Sequence, residues 1–210
     1  MVMKNANVCI LDYGSGNVQS VYNLFKTVTE HTVVSNKPEA LQRATHLVLP
    51  GVGSFGAAME KIKKNVPLDA LSEEVHVKKK PFLGICVGMQ VLADEGREFG
   101  LFKGLGWIPG VVDRLDSGSA PLPHIGWNNV KLGKASPLLA DVKQDMDFYF
   151  VHSYVFRPSD ASCVVATTQY GDEFCSIVGR GNIFGVQFHP EKSQKAGRLL
   201  LENFLRTKLS

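Results

Sequence analysis

Between residues 7 and 86, short apolar runs alternate with stretches of helical period, and this alternation narrows the fold more than any other feature of the chain. Residues 7–13 (NVCILDY) read as a short buried strand. Val18, Val21, Tyr22, Phe25 and Val28 then recur at helical spacing behind Asn17, a suitable N-cap. The unit repeats. HTVVS (31–35), HLVLP (46–50) and FLGIC (82–86) predict strands, while Phe55 to Lys64 and Leu68 to Val77 predict helices. Such alternation gives a mostly parallel central sheet with helices on both faces. From about residue 105 the texture changes to Gly, Pro and the β-rich runs VVDRL, NNVKL, DFYFVHSYVF, SCVVATT, EFCSIV and NIFGVQF, closed by an amphipathic helix through Leu199, Leu200 and Phe204. These predict antiparallel β additions on one sheet. No repeat or low-complexity linker divides the 210 residues, so the expectation is a single three-layer α/β domain over residues 1–210.

Charge and cysteine usage exclude several function classes. The net charge of +3 is small for this length, and Lys78-Lys79-Lys80 is the one basic run, read here as a solvated helix end. Without a basic stripe no nucleic-acid partner is expected. The N-terminal MVMKNANVCILDYG holds a four-residue apolar run, too short for a signal-peptide core, and no segment reaches membrane-spanning length. The expectation is a soluble, cytosolic protein. Cys9, Cys86, Cys163 and Cys175 form no CxxC pair and the six histidines are dispersed, so neither a disulfide framework nor a metal or other cofactor is expected.

One of those thiols has a pointed setting. A buried strand ending in Gly84-Ile85-Cys86-Val87-Gly88 and entering a helical pattern has the form of a nucleophile elbow, with Cys86 in the place of serine. The glycines admit a strained turn that lifts the sulfur above the strand ends, near a helix N-terminus whose partial positive charge suits a thiolate. Taken alone, the stretch serves a packing cysteine equally well. A base decides between the two. His189, in Gly185-Val186-Gln187-Phe188-His189-Pro190-Glu191-Lys192-Ser193, ends an apolar run, and Glu191 lies two residues on, where an extended chain points side chains the same way. Its carboxylate can hold the imidazole's tautomer, which makes Cys86, His189 and Glu191 a candidate triad. Gly51-Val52-Gly53-Ser54-Phe55-Gly56 matches a dinucleotide-binding loop, but no acid ends the next strand to hold a ribose. An oxyanion loop fits better, with backbone N–H groups aimed at a tetrahedral intermediate beside that of Val87.

These blocks resemble the class I (triad-type) glutamine amidotransferases, and among them the glutaminase subunits of imidazole glycerol phosphate synthase. The elbow and the His189-Pro190-Glu191 block are shared across the class. DYGSGN (12–17), PGVGSF (50–55), PHIGWN (123–128) and FVHSY (150–154) resemble the subunit family specifically, and the match is nearly full length. The resemblance implies a three-layer, flavodoxin-like amidotransferase fold. It also implies hydrolysis of glutamine to glutamate and ammonia through a Cys86 thioester, with His189 shuttling protons. The ammonia would pass to a (β/α)8-barrel cyclase partner in a heterodimer, which makes imidazole glycerol phosphate and an aminoimidazole carboxamide ribotide in histidine biosynthesis. By motif, Val52, Gly53 and Val87 carry over to the oxyanion site, Gln90, Ser153 and Tyr154 to the glutamine pocket, and Asn17, Ile125 and Trp127 to partner-facing positions. His124 and His152 receive no chemical role, and the other three cysteines read as core. The acidic pocket residue that some members carry between the elbow and GLGW has no assignable place, and Lys103 lies nearby. The rival readings are a free-standing cysteine γ-glutamyl hydrolase, a non-enzymatic stress protein with a reactive elbow, and a paralogue feeding ammonia to another acceptor such as a cell-surface sugar.

Overall fold

The computed structural model describes residues 6–144 and 146–207. Residues 1–5, which begin the stretch weighed above as a signal peptide, and residues 208–210 lie outside the described residues. The first half runs β1 (Asn7–Ile10), α1 (Val18–Lys26), β2 (His31–Val34), α2 (Pro38–Arg43), β3 (His46–Gly51), α3 (Phe55–Asn65), α4 (Leu68–Ser72), β4 (Phe82–Cys86) and α5 (Val87–Gln90). The second half adds β5 (Glu95–Gly96), β6 (Phe102–Lys103), β7 (Gly110–Arg114), β8 (His124–Leu132), β9 (Met146–His152), β10 (Tyr154–Pro158), β11 (Val164–Tyr170), β12 (Asp172–Arg180), β13 (Ile183–Val186) and α6 (Gln194–Arg206).

The main sheet has the order β2-β1-β3-β4-β13-β12-β11-β8-β9. From β2 to β13 neighbouring strands are parallel, and from β13 to β9 they are antiparallel. Every residue of β3 and β4 is buried, as strands covered on both faces must be, which is why they read as continuous apolar runs. The consequence for function lies in one register. β13 pairs β4 with Gly185 opposite Gly84 and Val186 opposite Ile85, so the chain leaving β13 passes beside Cys86 at the carboxyl ends of the strands. That is where open α/β sheets bind ligands. The rings of Phe148 and Phe150 pack on Phe188, with centroids 4.0 and 5.6 Å away. All three are buried, and each contributes about 1.5–3 kcal/mol toward fixing the segment that carries His189.

Four expectations are corrected. The antiparallel additions do not join one sheet: DFYFVHSYVF breaks at Ser153 into β9 and β10, and β10 leaves for a second sheet of order β10-β7-β5-β6. The segment from Leu68 to Val77 is α-helical only to Ser72 and continues as a π turn, Glu73–Val77. The lysine run is not wholly solvated: Lys80 is buried, its Nζ 2.6 Å from Glu74 Oε2 and donating to the Leu41 and Gln42 carbonyls at the end of α2. A buried ammonium needs such partners, and Lys78 completes the set on Glu74 Oε1 at 2.7 Å. Finally, Asn17 occupies the cap position of α1 without capping it, because its side chain is engaged elsewhere. Among the described residues no helix is long and apolar enough to cross a membrane.

Candidate active site

Cys86 is the last residue of β4 and has φ 55° and ψ −111°, a backbone region that side chains other than glycine's rarely enter. Close packing holds it there. A Cβ on Gly88 would overlap the Leu49 carbonyl, and one on Gly84 would overlap the Gly88 carbonyl, so only glycines let the turn lie against β3 and β4. The helix that follows is a single turn, Val87–Gln90, much shorter than the sequence pattern suggests, so its dipole contributes little. Positive charge opposite the sulfur comes from another side chain.

That side chain is His189, three residues beyond β13, which lines the cleft with Cys86 and whose charged form the sulfur favours. Its Nδ1 lies 2.8 Å from Glu191 Oε1, which leaves Nε2 for the sulfur. Asn17 Nδ2 donates to the same carboxylate oxygen at 3.1 Å, the task that takes it away from capping, and Ser15 Oγ donates to Asn17 Oδ1 at 3.3 Å. His189, Glu191, Asn17 and Ser15 thus form one hydrogen-bonded line, across residues far apart in sequence, that leads up to Cys86. Ser193 fixes its base: its hydroxyl donates to the His189 carbonyl at 2.6 Å and accepts from the Tyr149 N–H at 3.0 Å. Burial opposes a charge on His189, yet Cys86 and Glu191 outweigh it and hold the imidazole above its ordinary range. Burial likewise opposes the Glu191 carboxylate, and its contacts with His189 and Asn17 keep it below the usual range. The pair is therefore imidazolium and carboxylate at neutral pH.

The sulfur opens onto a cleft of about 170 Å³ lined by Val52, Gly53, Val87, Gln90, Ser153 and Tyr154 together with His189. The structure thus brings the triad, oxyanion and pocket candidates to one place. Gln90 donates through Nε2 to the Tyr154 carbonyl at 2.9 Å and to Gln187 Oε1 at 3.1 Å, so its own oxygen is the group it can turn to a ligand. Of the partner-facing candidates, Ile125 and Trp127 share the exposed face of β8, whereas Asn17 is buried against Glu191. The two remaining histidines nearby are neutral. Burial pushes His124 down to about 4, and burial with His124 alongside pushes His152 down to about 3.

Two polar cleft residues, Glu98 and Lys192, and Gln187 buried behind the sulfur escape the sequence reading. Glu98 lines the cleft and lies in the stretch between the elbow and GLGW where the sequence reading placed no acid, and Lys103 does not line it. The Glu98 carboxylate accepts the Phe55 N–H at 2.8 Å, and burial raises its pKa. It follows a two-residue strand, too short to show any periodicity. Gln187, within an apolar run, directs Nε2 to the Cys86 sulfur at 3.7 Å. Lys192 also lines the cleft, its Nζ 5.5 Å from the Tyr149 ring centroid, and its place directly after Glu191 was the one available signal.

A thiol on a strained turn, a charged base oriented by a carboxylate, and an acid with an amide in the same cleft suit acyl transfer from a small amide that carries an amino group. Sequence and structure comparisons agree with that chemistry. The profile of the glutamine amidotransferase class-I family matches residues 9–208. The chain belongs to the class-I glutamine amidotransferases. Its relatives include proteins named imidazole glycerol phosphate synthase subunit HisH from Zymomonas mobilis, 46% identical over 97% of this chain and 98% of that protein, and from Pelagibacter ubique, 44% identical over 95% and 99%. Among solved structures, a glutamine amidotransferase superposes with a TM-score of 0.72 at 20% identity over 94% of this chain and 98% of that one. PurLQS from Thermotoga maritima gives 0.69 at 22% identity over 98% of each. These two share the fold.

Proposed function

We propose that this chain is the glutaminase subunit of an imidazole glycerol phosphate synthase, working in the cytoplasm as a heterodimer with a (β/α)8-barrel cyclase to which it passes ammonia for histidine biosynthesis. The amidotransferase activity follows from the family and from relatives that share nearly the whole chain. The observation that carries the residue roles is the hydrogen-bonded line from His189 through Glu191 to Asn17, with His189 and Cys86 lining one cleft.

In this reading Cys86 Sγ attacks the side-chain amide carbon of glutamine, and His189 holds the thiol's proton. The oxyanion is met by the Val87 N–H and by backbone N–H groups of Val52 and Gly53, where Gly53, at φ +100°, lets the strand turn over to complete the site. His189 delivers its proton to the leaving nitrogen and ammonia departs, leaving a γ-glutamyl thioester. Water, deprotonated by the same imidazole, then attacks the thioester, and glutamate and the Cys86 thiol are released. Gln90, Ser153 and Tyr154 hold the substrate, with the Glu98 carboxylate placed for its ammonium group. Ile125 and Trp127 offer the barrel an exposed apolar face; Asn17 serves that interface from behind, through Glu191.

Glutamate release from glutamine tests this, measured for the chain alone and with a barrel subunit carrying its nucleotide ligand. Strong stimulation by the liganded partner is expected, with complete loss in a folded Cys86→Ala variant. Steady activity without stimulation would favour a free hydrolase or another acceptor, and activity surviving in Cys86→Ala would overturn the triad.

A further inference from the structure

Gln187, the first residue after β13, has no task in the chemistry above, yet it is 0% exposed and its amide is a polar group set within an apolar run. Its backbone N–H donates to the Ser176 carbonyl of β12 at 2.9 Å, which fixes the residue behind the elbow. The direction of its side chain is set elsewhere. The Tyr154 carbonyl can only accept, so the Gln90 group 2.9 Å from it is the NH2 group, Nε2. That same Nε2 lies 3.1 Å from the Gln187 amide, which must therefore turn its oxygen toward Gln90 and its own Nε2 away. On that far side lies the Cys86 sulfur, 3.7 Å from Nε2. One backbone carbonyl thus orients two amides in series, and the series ends with an N–H aimed at the thiol.

A donor in that place matters most when the sulfur is charged. As a thiol, Cys86 has an acceptor in the Val151 carbonyl, a weak contact at 3.9 Å. As a thiolate it gains nothing from that oxygen and needs donors instead, and a hydrogen bond to a charged acceptor is roughly twice as strong as one between neutral groups. His189 faces the sulfur across the cleft, whereas Gln187 reaches it from the buried side. We infer that Gln187 is a positioning residue for the thiolate: its Nε2–H, held in direction by Gln90 and the Tyr154 carbonyl, stabilises the ionised sulfur and keeps it aimed at the substrate amide. The inference rests on the nucleophile role given to Cys86 above. It also gives Gln90 a second duty, since the residue that lines the glutamine pocket is the one that keeps the Gln187 amide from turning over.

The test follows alkylation of Cys86 by iodoacetamide against pH in the unmodified chain and in Gln187→Met, which keeps the length of the side chain and removes its donor. Mass spectrometry of the Cys86 peptide keeps Cys9, Cys163 and Cys175 out of the count. The titratable groups facing the sulfur are His189 with its Glu191, then His152, Glu98 and Lys192 in the cleft, and Tyr13 on the loop after β1; all of them remain in the variant. On the rising limb of the profile the variant should react about tenfold more slowly at each pH, with the alkaline plateau changed less than about threefold. With the liganded barrel subunit its kcat for glutamate release should fall about tenfold and KM change less than about threefold, because the Tyr154 carbonyl still holds Gln90. A side chain that only filled space would move Tm and leave the profile in place. An unshifted profile or an unchanged kcat in a folded Gln187→Met overturns the inference and leaves the glutaminase assignment standing. No glutamate from the unmodified chain even with its liganded partner overturns both. Should Gln187→Met lose its cooperative thermal transition, the Gln187 side-chain amide proton resonances of the unmodified chain decide: they should move with the pH midpoint of Cys86 alkylation, and resonances fixed through that midpoint overturn the inference.

Discussion

His152 and His189 both line the cleft, yet their surroundings drive them apart. His152 Nδ1 donates to the Tyr154 carbonyl at 3.1 Å, so its Nε2 accepts from His124 Nδ1 at 3.0 Å, and no carboxylate faces either ring. Burial outweighs the Tyr154 carbonyl at His152 and acts unopposed at His124, so both stay neutral and serve as fixed tautomers beside the pocket. His189 is buried as well, but Glu191 and Cys86 raise it from the ordinary 6.5 to about 10. The sign of the resulting pH dependence follows. The raised imidazole adds stability that is fully present below 6.5 and is lost as pH climbs through about 10. The lowered Glu191 adds stability that is present above its ordinary 4.5 and is lost on acidification. In Glu191→Gln the deficit in Tm relative to the unmodified chain should therefore be widest between pH 4.5 and 6.5, and should narrow toward pH 10 and toward strong acid. At its widest, removing one partner of a buried pair costs about 3 kcal/mol. A gap that stays level across this range would show that the pair is not ionic. Glutamine also loses hold of the imidazole's tautomer, so kcat should fall far more than KM rises.

Among the elements, the elbow was the most legible, because its glycines mark positions where backbone meets backbone. Gly88→Ala would drive a methyl group into the Leu49 carbonyl in the middle of the sheet, where neither partner can yield. The expected loss is about 3 kcal/mol or more, seen as a lowered denaturation midpoint, and an unchanged midpoint would mean the turn can relax. The strands β3 and β4 announced themselves as unbroken apolar runs, whereas β5 and β6, two residues each, had no period to show. Glu98 was lost with them. On β8 the alternation of burial puts Ile125 and Trp127 outward, with Trp127 48% exposed and edge-on to Tyr149 at 5.9 Å. An aromatic so displayed beside polar neighbours suits an interface anchor. Trp127→Ala should weaken binding of the barrel subunit by about 2 kcal/mol, roughly thirtyfold in Kd by titration, with Tm little changed. An unaltered Kd would remove Trp127 from the interface.

For the whole molecule, the sequence foretold a parallel α/β core because each strand–helix unit is local. The partition of the later strands between two sheets was not legible, since it depends on a break at Ser153 that no turn residue announces and on pairings such as that of β5 with β7 across the gap left by β6. The same non-local order shapes the active centre. β13 is the tenth strand to follow β3 in sequence, yet it lies beside β4 in the middle of the main sheet, and His189 comes three residues after it. A chain emerging from the ribosome N-terminus first would thus expose its elbow thiol about a hundred residues before the base arrives. In the proposed reading, half-made copies would hold the nucleophile without its base until β13 takes its place beside β4.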